Sequence, residues 1–547
     1  MWEQNYYPVA GSLWWSTLVA SVPLLVLFYM LGVKRKPSWM AALWALAGAW
    51  VVALAVIRMP VRQALAATIY GAAFGLFPIG WIVFSAILLY RITVDTGKFE
   101  IIKDSVGRLS DDRRLQALLI AFSFGAFIEG AAGFGTPVAV AAAMLAGLGF
   151  SPFYAAAICL LANTAPVAFG SIGIPIITLS GITGLPKDLL SAMVGRICAL
   201  ISLIIPTYLV VIMAGAGGAA EVWPAVVACG GTFALVQFSV SNFIGPELTD
   251  ILASLASIGA MVLVMKLWHP KNIFRLEGDT PVSREPRRHS AGQIFHAWSP
   301  YVLLVIFVLL WGYKPIKTVL EHNITQLIPV PALHNLVVRM PPVTKAPQPY
   351  AAVFTFNWLS AAGTSCFFAA AVAALALGMS PKKFASLFIS TNRQLALPML
   401  TIASVLGLAF LMNYAGMTYT LGLAFAATGA AFPFFSSILG WLGVFLTGSD
   451  TASNALFGNL QVVTANAIGI KPVLTAAVNS AGGVMGKMIS LQSIAVAVAA
   501  TEMATSEEGK LFRFTLRHSI ILATVVGLIA LGYAYLVPSL VPSLAPR

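Results

Sequence analysis

The chain has 547 residues, of which 59% are hydrophobic and only 9% charged, and its mean hydropathy is +0.89. A water-soluble protein of this length needs about a quarter of its residues charged to coat its surface, so the composition excludes a soluble globular fold and leaves lipid as the coat. The formal net charge of +13 belongs to loops between apolar runs, and no nucleic-acid partner is expected from it.

Along the chain, MWEQNYYPVAGSLWW carries an acid, Glu3, and no basic region. It does not read as a cleavable secretory signal, so the first apolar run is expected to stay. Runs long enough to span hydrocarbon recur throughout, among them Trp14–Leu31, Met40–Ile57, Ala64–Tyr90, Leu189–Ala214, Ile251–Leu267, Leu395–Met412 and Ile520–Leu536. They predict an all-α integral membrane protein with roughly 12–14 transmembrane helices in one membrane domain, 1–547. Basic residues collect at Lys34–Lys36, from Arg91 through Lys98, Lys103 and Arg108 to Arg114, from Lys266 to Arg288 (Arg284 and Arg287 included), and at Lys382–Lys383. Cytoplasmic loops carry such an excess, which places the N-terminus outside, and an even number of spans returns the C-terminus there.

Within the first half, Gly71-x-x-x-Gly75 reads as helix packing. FIEGAAGFGTP (Phe127–Pro137) interrupts an apolar region with Glu129 and a glycine run, and GFSPFYAAAICLLANTAPVAFG (Gly149–Gly170) follows with Asn163 and Thr164. Glu247 and Asp250, in SNFIGPELTD, open the next span; Glu247 after Gly245-Pro246 reads as a helix N-terminal acid. A polar stretch at about 268–298 reads as a cytoplasmic linker, and a Pro-rich stretch at about 314–349 as an external loop. In the second half FLTGSDTASNALFG (Phe445–Gly458) brings Asp450, Ser453 and Asn454, and GIKPVLTAAVNSAGGVMGK (Gly469–Lys487) brings Asn479, Ser480 and Lys487. The four cysteines lie in apolar segments without metal or redox spacing, and the six histidines fall in loops or at span ends.

The two halves, about 38–267 and 350–538, echo one another. Gly149 and Pro152 match Gly469 and Pro472, and Ala156-Ala157 match Ala476-Ala477. In each half a polar, Gly-rich segment breaks an apolar region before a G-x-x-P turn opens an Ala-rich helix. Irregular backbone at membrane depth is tolerated only where protein buries it or water lines it. Paired breaks at corresponding positions point to a secondary transporter's binding site between two inverted-topology repeats with re-entrant or broken helices.

A charge at the bilayer centre costs roughly 2.5–3.5 kcal/mol on insertion scales and needs a partner or a cavity. Glu129 and Asp450 therefore read either as carboxylates that carry a coupling proton or as structural acids in ion pairs or at half-helix ends. Lys487 reads as the counter-charge of an anionic substrate or as an ion-pair partner of Asp450. Asn163, Thr164, Ser453, Asn454 and Asn479 add uncharged groups for binding the substrate, and half-helix N-termini would offer N–H groups to a carboxylate. The sum suits a small anion bearing hydroxyls. No metal, cofactor or enzymatic constellation is expected: Gly482–Met488 lacks the first glycine and the Ser/Thr of a phosphate loop, and Gly215-x-Gly217-x-x-Ala220 has no strand context.

The phrases FGAFIEGAAGFGTPVA, NTAPVAFGSIGIPI, SNFIGPEL, VRMPPV, YAAVF, GWLGVFLTGSDTASNALF and GKMISLQSIA resemble the bacterial L-lactate permease family, which includes the glycolate permeases. The resemblance runs from W-x-Q-N-Y at the N-terminus to LFRFTLRHS before the last span. It implies proton-coupled uptake of L-lactate, D-lactate and glycolate through a bacterial inner membrane, and kinship with transporters built from inverted repeats with re-entrant hairpins. Leu491 departs from the Pro expected after GKMIS, with a consequence for the local helix. A sodium-coupled carrier, or one for another short organic anion, is the competing reading. Oligomeric state is not legible in the sequence.

Overall fold

The computed structural model describes residues 1–543 apart from 108, 134, 277–288 and 323. Arg108, Arg284, Arg287 and Arg288 of the basic loops, and Phe134 of the first Gly-rich segment, lie outside the described residues. Among those described, 12 helices are long and apolar enough to cross a membrane, and 13 if the bent pair Pro152–Ala162 and Val167–Thr183 is one span. The protein is thus an all-α multi-pass membrane protein. Its outer helices expose Leu, Trp and Phe side chains, such as Trp14, Leu235 and Phe243, as a lipid-facing surface requires. The helix Arg113–Ala131, by contrast, is buried along its whole length.

Small residues let helices approach closely where no hydrophobic force drives them together in lipid. A Cβ on Gly71 would lie 2.3 Å from the Leu406 carbonyl oxygen, and one on Gly75 3.1 Å from that of Ile402. The Gly71-x-x-x-Gly75 pair thus seats its helix on Pro381–Ala415.

Broken helices recur in the same order in both halves. Arg113–Ala131 stops at a Gly-rich break and the chain restarts as Thr136–Gly147. Pro152–Ala162 then stops and resumes at Val167–Thr183 with a 62° bend. In the second half Phe432–Thr447 stops at Gly448 and resumes as Asp450–Ala467, and Pro472–Lys487 stops and resumes as Leu491–Thr501. Gly149 and Gly469, with φ of 98° and 74°, take left-handed backbone just past their helices, where a Cβ would be disfavoured. Pro152 and Pro472 each hold the first helical position that follows, where a missing N–H costs nothing.

Hydrogen bonds hold the ends of each first broken element. Arg113 Nη1 donates to the Leu148 carbonyl at 2.8 Å, tying the start of Arg113–Ala131 to the end of Thr136–Gly147. Beside it, Arg114 pairs with Asp112 and Glu221, both at 2.8 Å. In the second half, Tyr535 Oη donates to the Ala430 carbonyl at 2.9 Å, and Lys471 Nζ donates to those of Pro538 and Val541 at 3.0 and 2.9 Å. Both ends of the second element therefore meet the C-terminal segment.

Several expectations from sequence need correction. The Pro-rich stretch is not a plain loop: it holds the helix Lys314–Glu321, and Gln326–Pro329 pairs antiparallel with Val353–Phe356. Val337–Arg339 pairs parallel with Trp2–Glu3 and antiparallel with Gln348–Pro349. Strands of two to four residues joined across distant segments leave no period in the sequence. The helix Ala291–Gly312 starts inside the stretch read as linker, because Ser290 and Gln293 form a reciprocal capping box. Glu247 does not cap a helix; the next one begins at Thr249, and Glu247 pairs instead with Lys187. His518 lies within Glu508–Leu531 rather than at a span end, its Nδ1 2.5 Å from Tyr208 Oη.

Candidate functional site

The broken helices of both halves face a common cavity of about 300 Å³. Its polar lining includes Glu129 and Ser171 from the first half and Thr447, Ser449, Asp450, Thr451, Lys487 and Gln492 from the second. Other helices add a mostly apolar wall with Leu27, Trp39, Val83 and Leu406, in which Ser38 and Thr401 are hydroxyl-bearing.

On the first-half side, Glu129 is 5% exposed and its Oε2 has no hydrogen-bond partner. Gly170 makes room for it, since a Cβ there would lie 2.6 Å from Glu129 Oε1. Ser171, Ile172 and Gly173 follow with φ of 47°, 61° and 74°. Left-handed backbone at a β-branched residue such as Ile172 is strained by about 1–3 kcal/mol and persists only where its surroundings enforce it. Here Ser171 Oγ donates to the Ala132 carbonyl at 2.9 Å, locking one break onto the other. Thr164 Oγ1 turns back to the Leu161 carbonyl at 2.7 Å. Asn163 lies beside Glu129, yet neither of its amide atoms reaches hydrogen-bond geometry with any group.

On the second-half side, Gly448, with φ of 71°, ends one helix, and Ser449 caps the next by accepting from the Ala452 N–H at 3.2 Å. Asp450 therefore sits in the first turn of Asp450–Ala467, where the helix dipole favours an acid. Its Oδ2 accepts from Ser480 Oγ at 2.5 Å and from Asn454 Nδ2 at 3.3 Å, while Oδ1 is free of partners. A buried chain extends behind it: Asn479 Nδ2 donates to Asn454 Oδ1 at 2.9 Å, and Gln461 Nε2 to Asn479 Oδ1 at 3.0 Å. Asn454 Nδ2 also reaches the Pro175 carbonyl at 3.2 Å, joining the halves. Ser453 Oγ donates to the Gly440 carbonyl at 3.1 Å.

Lys487 ends Pro472–Lys487, is 7% exposed, and donates from Nζ to the Gly448 carbonyl at 2.5 Å. It makes no ion pair within 4 Å with Asp450 among the described residues, contrary to the salt bridge the sequence allowed. Its charge instead acts on Glu129 and Asp450 together. The N-terminal turns of Asp450–Ala467 and Leu491–Thr501 reach the same cavity through Thr451 and Gln492, adding partial positive charge where an anion would sit.

Of the residues singled out in the sequence, the structure brings Glu129, Asp450 and Lys487 to the cavity. Asn163, Thr164, Ser453, Asn454 and Asn479 are buried near it and line none of it. Ser171, Ser449, Thr451 and Gln492 line it and were not singled out. A signal existed for Ser449, which stands between the break glycine and the acid as a cap. Gln492 carried none.

The model of the L-lactate permease family matches residues 16–537. An L-lactate permease of Salmonella typhimurium is 48% identical over 552 residues, covering 99% of this chain and 100% of the relative. The glycolate permease GlcA of Escherichia coli is 46% identical over 551 residues, covering 98% of each chain. Among solved structures, the YdaH transporter of Alcanivorax borkumensis aligns at 15% identity with a TM-score of 0.41, covering 87% of this chain and 89% of that one.

Proposed function

This chain belongs to the L-lactate permease family, and from that premise we propose that it imports lactate, glycolate and related short 2-hydroxymonocarboxylates across a bacterial inner membrane in symport with protons. The observation that carries the reading is the convergence of Lys487, Glu129 and Asp450 on one cavity of about 300 Å³. A buried ammonium beside helix N-termini suits one carboxylate, and Ser449, Thr451 and Ser171 suit an adjacent hydroxyl. The apolar wall of Leu27, Trp39 and Val83 suits a short aliphatic end.

Glu129 and Asp450 divide the labour in this reading. Asp450 accepts from Ser480 and Asn454, donors that match an ionised carboxylate holding the Lys487 side of the site. Glu129 has no such donors and faces the cavity, which suits the group that loads and releases the proton. Asn454 and Asn479 serve as supports of Asp450 rather than as substrate ligands.

We further infer that the first broken element of each half is a re-entrant hairpin, and that the two enter from opposite faces as inverted repeats. Support comes from the bond that joins the two ends of the first hairpin beside the basic loops, and from those that tie both ends of the second to the C-terminal segment. Alternating access around the shared cavity follows from such an arrangement. Uptake of labelled lactate and glycolate into proteoliposomes, under a pH gradient and then under a sodium gradient, tests the proposal.

A further inference from the structure

Asp250 opens the helix Thr249–Leu267, is 1% exposed, and has no hydrogen-bond partner on either carboxyl oxygen. It does not line the cavity. It packs instead against Gly130, the residue after Glu129: a Cβ on Gly130 would lie 2.9 Å from Asp250 Cβ and 3.1 Å from the Ile251 nitrogen. The first-half break thus gathers Glu129 Oε2, both amide atoms of Asn163 and both oxygens of Asp250, all buried and all without partners. An unpaired polar group in such surroundings is costly, and an unpaired charge far more so. The second half meets the same demand with its own cation, Lys487 on the Gly448 carbonyl. Among the described residues the first half forms no such bond from a cation of its own at this place.

Other groups facing Asp250 do not supply one. Glu129 faces it from Arg113–Ala131, Cys198 from Lys187–Glu221 and Gln237 from Trp223–Phe243. Gln237 accepts from Ser202 Oγ at 2.7 Å and donates one amide N–H to the Ala165 carbonyl at 3.3 Å, so what it turns to Asp250 is a neutral amide and not a cation. No Lys, Arg or His forms an ion pair with Asp250 among the described residues.

We propose that Asp250 is a second proton-carrying carboxyl, which takes the coupling proton from Glu129 beside Gly130 and passes it on without contacting substrate. This rests on the proton-symport reading above. Glu129 becomes the carboxylate facing Lys487 as Asp250 becomes the neutral acid, so charge and protons balance. The proton then leaves the cavity through the first half while the anion stays on the second.

The test uses the full-length protein in proteoliposomes. For one proton per lactate, a one-unit pH gradient drives about tenfold accumulation in the wild type. Asp250→Asn should lose that accumulation and settle near equal concentrations, while lactate counterflow across it persists. Accumulation by Asp250→Asn equal to that of the wild type overturns the role of Asp250 and leaves symport standing. A wild type driven by sodium and indifferent to pH overturns the symport reading itself. Should Asp250→Asn fail to fold, infrared spectroscopy of Glu129→Gln/Asp450→Asn decides: a remaining protonated-carboxyl C=O band is expected, and its absence overturns the inference.

Discussion

Lys487 donates its ammonium proton to the carbonyl of Gly448 at 2.5 Å, so the cation at the end of one broken helix sits on the break of another. The bond fixes the positive charge at the cavity without neutralising it, because a carbonyl carries only a partial charge. A substrate carboxylate can then complete what the protein leaves open.

Lys487→Gln should keep a hydrogen bond to Gly448 and lose the charge. A hydrogen bond to a charged group contributes about 1.5–3 kcal/mol, so lactate affinity should fall roughly tenfold to a hundredfold. The check is KM for lactate uptake, normalised to folded protein in the membrane. An unchanged KM would remove Lys487 from the binding site.

Among the described glycines of the second half, the closest approach joins Phe432–Thr447 to Pro472–Lys487, the two helices that carry Gly448 and Lys487. A Cβ on Gly440 would lie 1.9 Å from the Asn479 carbonyl oxygen. Gly440→Ala must push these helices apart, at about 1–3 kcal/mol or more. Gly259→Ala is the control, since a Cβ there meets nothing within 4 Å. Thermal unfolding in detergent should show a clear drop in Tm for the first variant and none for the second; equal melting would refute the close contact.

Leu491 occupies the first position of Leu491–Thr501, after the cap Ser490 whose Oγ accepts from the Ser493 N–H at 3.2 Å. Proline is well accommodated at that position because no intrahelical bond needs its N–H. Leu491→Pro should therefore leave Tm and uptake close to wild type. A marked loss of folded protein would show that the Leu491 side chain or N–H is needed.

What the sequence revealed followed from how local each signal is. Gly149 with Pro152 and Gly469 with Pro472 announce turns through their own backbone chemistry, so the matching breaks were legible. Glu129, Asp450 and Lys487 stood out because a charge in an apolar run has few ways to be satisfied. Asn454 and Asn479 were visible as polar residues, but only packing reveals that they turn toward Asp450 and Gln461 rather than the cavity. Asp250 reads as an ordinary first-turn acid until Gly130 is seen against it. The small sheets were illegible for a related reason: Trp2–Glu3 and Val337–Arg339 are some 335 residues apart, and neither is long enough to show alternation.

The most direct measurement of the central claim is internal pH in proteoliposomes loaded with a pH-sensitive dye, when lactate is added outside in sodium-free buffer with no imposed gradient. Inward lactate should carry protons with it and acidify the lumen. Glycolate should do the same, and Glu129→Gln should abolish the signal while exchange of labelled lactate continues. Lactate entry without acidification, or entry that requires sodium, would contradict the account.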